Sequence, residues 1–159
     1  MMTSSQIAHA FYQAFQKKDF KIMQGLYADN ATFSDPAFPN LNVQEARAMW
    51  EMLLTASKDL HLEYQILEET ALQVKTQWIA TYTFSKTGRK VINKIVATMV
   101  IENGLIVSHT DVFSFYKWAS QALGTVGILL GWTGFLRKKV QTTARQNLAN
   151  FMQKAPTIK

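Results

Sequence analysis

Residues 59–116 read DLHLEYQILEETALQVKTQWIATYTFSKTGRKVINKIVATMVIENGLIVSHTDVFSFY, and this stretch decides the fold. Asp59 to Glu69, Ala71 to Phe84, Val91 to Ile101 and Leu105 to Tyr116 are rich in β-branched and aromatic residues with a period of two, the pattern of strands. Lys86-Thr87-Gly88-Arg89 marks one turn. Glu102-Asn103-Gly104 marks a tighter one. The strands therefore fold back on one another as an antiparallel sheet.

Upstream the period is helical. Ile7, Ala10, Phe11, Ala14 and Phe15 share one face between Thr3 and Lys17, and Thr3 with Gln6 makes a capping box. Asp19 caps a short second helix that runs through Phe20, Met23, Leu26 and Tyr27. Ala31 to Asp35 reads as a short strand ended by Pro36. Asn42 with Glu45 opens a third helix, with Val43, Ala46, Met49, Trp50, Leu53 and Leu54 on its apolar face. Helices followed by a run of long strands predict an α+β fold, the helices packed on one face of a curved sheet. Beyond the last strand, Lys117 to Leu123 reads as helix, Gly124 to Gly134 as a glycine-broken apolar linker, and Gly134 to Gln153 as an amphipathic helix. Residues 1–116 are expected to form the α+β unit and 117–159 a basic helical extension of the same domain.

Composition narrows the function classes. An apolar fraction of 48% in 159 residues suits a chain with a real core. The absence of cysteine excludes thiolate catalysis, disulfides and cysteine-ligated zinc. The first residues lack the features of a secretory signal, and the apolar run Thr125 to Phe135 is about half the length that spans a bilayer, so a cytoplasmic protein is expected. The net charge of +6 is unevenly placed: residues 1–116 carry −1 and residues 117–159 carry +7, with no acid in the latter. A basic extension is either a solvated helix face or a contact with an anionic surface. His9, His61 and His109 are scattered, no glycine-rich phosphate loop is present, and aromatics do not cluster with basic residues. No metal, cofactor or nucleic acid is therefore expected.

Polar groups on apolar strand faces are the candidates for chemistry. Alternation puts Asp35 with Ala31 and Phe33, and puts His109 and Asp111 with Phe113 and Phe115. Desolvation of a carboxylate on such a face raises its pKa toward the range useful for acid–base work. Each has a plainer reading: Asp35 before Pro36 can organise a turn, and His109 with Asp111 can be a surface pair beside a hairpin.

The segment Asp19 to Pro36, DFKIMQGLYADNATFSDP, resembles the second helix and first strand of the nuclear transport factor 2-like superfamily, which includes ketosteroid isomerase, limonene epoxide hydrolase, scytalone dehydratase and the SnoaL-like polyketide cyclases. Glu102 to Asp111, ENGLIVSHTD, resembles the last-strand motif of the SnoaL-like branch, with Thr110 where tryptophan is usual. The resemblance implies a cone-shaped α+β barrel with an apolar pocket. It places catalytic roles on Asp35, His109 and Asp111, and substrate contacts on Phe33, Trp50, Lys94 and Phe113. By spacing, the tyrosine and aspartate of the steroid enzyme's oxyanion hole fall at Phe11 and Val96, so that mechanism is not expected, and Tyr12 is expected to point elsewhere. The implied function is a cofactor-independent isomerase, cyclase, hydratase or hydrolase acting on a small apolar carbonyl or epoxide. The alternative is a binding or interaction module of the same fold without chemistry. Apolar side chains on both faces of Val91 to Ile101 suggest a homodimer through the outer sheet face. The extension serves as a lid or dimer arm, with peripheral contact to anionic membrane the second choice.

Overall fold

Both expected capping boxes are present in the structure, a computed structural model that describes residues 1–154. Thr3 and Gln6 close the start of α1 (Ser4–Gln16), and Asn42 and Glu45 close the start of α3 (Val43–Ala56). Asp19 caps α2 (Phe20–Gly25) through the Ile22 N–H. The strands are β1 (Tyr27–Ser34), β2 (Leu41–Asn42), β3 (His61–Glu69), β4 (Gln73–Phe84), β5 (Arg89–Glu102) and β6 (Leu105–Val112). They form one six-stranded sheet in the order β2-β1-β6-β5-β4-β3. The β5–β6 hairpin turns at Asn103 and Gly104, both with positive φ (51° and 78°), the backbone that an Asn-Gly turn supplies.

One pairing departs from the expected antiparallel sheet. β1 runs parallel to β6, because the chain leaves β1, crosses through α3 and the β3–β5 meander, and returns beside it. Alternation within a strand carries no information about direction. Register shifts interrupt β1–β6, β3–β4 and β5–β6, and such bulges bend and twist a sheet into a trough. α1 packs across the concave side against β3, β4 and β5, while α3 packs on β1 and β2. The main core lies between these layers, built on Phe11, Phe15, Trp50, Trp78, Met99 and Ile106 among others.

Several boundaries differ from those read in the sequence. Tyr27 opens β1 instead of closing α2. β6 stops at Val112, and Ser114 caps α4 (Phe115–Leu123), so Phe115 leaves the strand face expected for it. The expected linker contains a helix, α5 (Thr125–Leu130), laid across α4. A Cβ on Gly127 would overlap the Ala119 carbonyl, so this glycine permits the close approach. α6 (Gly134–Lys154) then runs along α3. Leu148 of α6 joins the main core, whereas Leu136 joins a second cluster with Val91, Phe115, Trp118, Ala119 and Ala122.

Candidate functional site

A buried hydrogen-bonded chain crosses the interior of the trough. The Trp50 Nε1–H donates to Tyr27 Oη at 2.9 Å. Tyr27 Oη lies 2.7 Å from His109 Nδ1, and His109 Nε2 lies 2.9 Å from Asp111 Oδ1. The imidazole thus bridges the Tyr27 hydroxyl and the Asp111 carboxyl through its two ring nitrogens. Four aromatic rings enclose the imidazole. Phe33 and Phe11 stand edge-on at 4.9 and 5.4 Å between centroids, and Tyr27 and Trp50 stack at 6.0 and 6.1 Å. His109 and Asp111 are both buried, so the pair is not at the surface. Burial pushes the Tyr27 hydroxyl well above its ordinary pKa, against the Trp50 hydrogen bond, and keeps it a proton donor.

Beside Asp111 the concave face carries polar groups without partners. Thr76, Ala97 and Asp111 form one row across β4, β5 and β6 in direct register. Tyr12 Oη, Thr76 Oγ1 and Trp78 Nε1 are buried and make no hydrogen bond among the described residues. Burial raises the Tyr12 pKa well above its ordinary value, and the Asp111 charge raises it further, so its hydroxyl stays protonated. Unpaired donors of this kind cost about 1–3 kcal/mol each and ask for a ligand or water. Tyr12 thus faces the interior, contrary to the sequence expectation. α1 buries Ser4, Ala8, Phe11, Tyr12 and Phe15, a stripe wider than the one traced through Ile7. Spacing from Ala8 to Tyr12 was the available signal.

Asp35 sits just past the end of β1. Its Oδ1 accepts the N–H groups of Ala37 at 2.7 Å and Phe38 at 2.6 Å, so it does organise the turn. Burial lifts its carboxyl to about 6. The Phe38 and Ala37 N–H groups and His109 oppose that rise, and the Asp111 charge adds to it. α6 steadies this loop: Gln141 donates to the Pro36 carbonyl at 2.9 Å, and Arg145 to that of Pro39 at 2.8 Å. At this end of the trough Tyr82 accepts the Trp118 indole N–H at 2.9 Å, and its pKa is raised by burial and by Asp35.

The structure brings Asp111, His109, Phe33 and Trp50 into one buried cluster and Asp35 near it, within electrostatic range. Phe113 is half-buried and packs against both apolar clusters. Lys94 does not join them. On β5 the odd residues Val91 to Ile101 face the core, while Lys94 lies on the exposed convex side with Val96. Counting back from Gly104 chose the wrong parity, and one residue turns a side chain through the sheet. Ala97, not Val96, occupies the concave row beside Asp111. A surface concavity of about 400 Å³ runs along β2, β1 and β6 past Phe33 and His109, without Asp35 or Asp111 in its lining. Among the described residues no group of three His, Asp or Glu side chains is placed to hold a metal ion, and no helix is long and apolar enough to cross a membrane.

Fold and site define a cone-shaped α+β protein with a polar patch enclosed by its sheet. The chain belongs to the SnoaL-like domain family, whose model matches residues 8–109. Solved structures share the architecture. A proposed polyketide cyclase of Pseudomonas putida is 15% identical, with 77% of this chain and 99% of that one covered at a TM-score of 0.67. IdmH, a proposed polyketide cyclase of Streptomyces antibioticus, is 22% identical, with 76% and 98% covered at a TM-score of 0.63. An epoxide hydrolase of M. tuberculosis, of the LEH-like kind, is 15% identical, with 79% and 92% covered at a TM-score of 0.58. At these identities the likeness shows the fold. No curated protein matches the sequence.

Proposed function

We propose that this chain is a SnoaL-like enzyme that uses interior carboxylates for acid–base chemistry on a small apolar carbonyl or epoxide compound. One observation carries the reading: the Trp50–Tyr27–His109 chain orients a buried carboxylate, Asp111, in an interior that also holds three unpartnered polar atoms. His109 holds Oδ1, and Oδ2 has no hydrogen-bond partner among the described residues. Oδ2 takes a proton from the carbon next to a carbonyl. The C–H electron pair forms the carbon–carbon double bond as the carbonyl π pair moves onto oxygen, and Tyr12 Oη and Thr76 Oγ1 donate to the resulting enolate. Asp35, protonated up to about pH 6, returns a proton. With an epoxide, Asp111 deprotonates the attacking water and Asp35 protonates the opening oxygen. The aromatic side chains packed around His109 suit an apolar substrate body.

The test is solvent exchange. A panel of apolar ketones is incubated with the protein in D₂O and α-deuteration read by mass spectrometry, with hydrolysis of apolar epoxides followed in parallel. Turnover is expected with the native chain and a loss of roughly 10²–10⁴-fold in Asp111→Asn. A binding module without chemistry is the second reading, favoured by Ala97, which leaves no second carboxyl in the Asp111 row. It predicts that panel compounds bind and no exchange or hydrolysis occurs.

We also infer a homodimer through the convex face. Ile92 and Val112 are exposed there, with Val96 and Val100 half-buried beside them. Light scattering of the native chain and of Val112→Glu tests this. The native chain should be a dimer and the variant a monomer, and a monomeric native chain overturns it.

A further inference from the structure

We propose that α5 and the turn into α6 dock this protein on the surface of an anionic lipid bilayer. The segment presents Val126, Ile128, Leu129, Leu130, Trp132 and Phe135 to solvent together. Trp132 is 76% exposed and Phe135 73%, although both are large apolar residues that a monomer normally shelters. The exposure is structurally enforced. Gly127 is locked against the Ala119 backbone and Gly131 against Tyr116 and Ala119, so α5 must turn its remaining apolar residues outward.

Charge selects the occupant. Arg137, Lys138 and Lys139 follow the apolar residues directly and are exposed, and Lys117 stands on neighbouring α4. Arg137 lies over the Phe115 ring at 5.3 Å and has no carboxylate partner among the described residues. It borders a concavity of about 420 Å³ that Tyr116, Trp132 and Thr133 also line, room for a phosphate headgroup. No Asp or Glu follows Asp111 in the sequence. A second copy meeting this patch about a two-fold axis would bring like charge against like charge, which disfavours self-association. A bilayer carrying anionic phosphates meets both demands, with Trp132 at headgroup depth and the aliphatic side chains below it. The segment lies on the surface instead of spanning it, in keeping with its short length.

The experiment is flotation of the full chain with vesicles of phosphatidylcholine alone and of phosphatidylcholine mixed with phosphatidylglycerol. Tryptophan emission is read alongside. Trp50, Trp78 and Trp118 are buried, so a blue shift on binding reports Trp132. Expected are flotation with the anionic vesicles only, a blue shift absent from Trp132→Phe, and weakening by salt. Lys138→Glu/Lys139→Glu should weaken binding by roughly 30-fold or more. Trp132→Ser/Phe135→Ser changes exposed side chains only and should abolish the blue shift and flotation with an unchanged circular dichroism spectrum. No flotation with the anionic vesicles overturns the proposal. So does equal flotation with phosphatidylcholine alone, or concentration-dependent self-association of the native chain that Trp132→Ser/Phe135→Ser removes.

Discussion

Replacing Asp35 with Asn removes a half-buried charge while keeping the oxygen that caps the turn. The amide Oδ1 can still accept from Ala37 and Phe38, where the carboxylate oxygen sits at 2.7 and 2.6 Å. The folded carboxyl titrates near 6 against an ordinary value of 3.8, so between those values the folded chain holds more protons than the unfolded one. Stability from this group is therefore greatest in acid and falls as pH rises through the window. The gap corresponds to about 3 kcal/mol if fully expressed, and to about 1–2 kcal/mol for a carboxyl that keeps some contact with water. Asp35→Asn escapes this loss. In urea unfolding followed by tryptophan fluorescence, it should match the native chain near about pH 4 and exceed it by about 1–2 kcal/mol above about pH 7. A stability difference that does not change with pH, or a variant weaker than the native chain in alkali, would refute the desolvation argument.

Tyr27→Phe leaves the Trp50 indole N–H and His109 Nδ1 buried without a partner, and should cost about 2–4 kcal/mol, measured as a fall in urea midpoint. Tyr12→Phe removes a hydroxyl that has no partner, so stability should hold or rise by up to about 1 kcal/mol while affinity for a bound ketone falls, read by calorimetry. Gly127→Ala drives a methyl into the Ala119 backbone and should cost about 1–3 kcal/mol, with faster proteolysis between α4 and α5.

The helices were legible because their signals are local: Thr3 with Gln6 and Asn42 with Glu45 are reciprocal caps that need nothing from the rest of the chain. The Asn103-Gly104 turn was legible for the same reason. Direction and parity were not. β1 lies beside β6 through tertiary packing alone, and β2 is too short to show a period. Lys94 was misplaced because Val91 to Ile101 is apolar on both faces, so alternation cannot tell which face meets the helices. α5 was hidden by glycines that break helices in isolation and here permit helix-on-helix contact. In the site, Asp35, His109 and Asp111 stood out as polar residues on apolar strand faces. Tyr27 was assigned to a helix and Tyr12 to the wrong direction, so the chain orienting Asp111 and the donors beside it emerged only with the packing of α1 on the sheet.

The proposed reaction takes place on the concave face at Asp111. A crystal structure of the complex with whichever ketone or epoxide the protein turns over tests it most directly. The substrate oxygen is expected within hydrogen-bonding reach of Tyr12 Oη or Thr76 Oγ1, and the reacting carbon or water beside Asp111 Oδ2. A compound seated instead in the groove along β2, β1 and β6, or in the concavity beside Trp132 and Arg137, with Tyr12 and Thr76 still unpartnered, would contradict it.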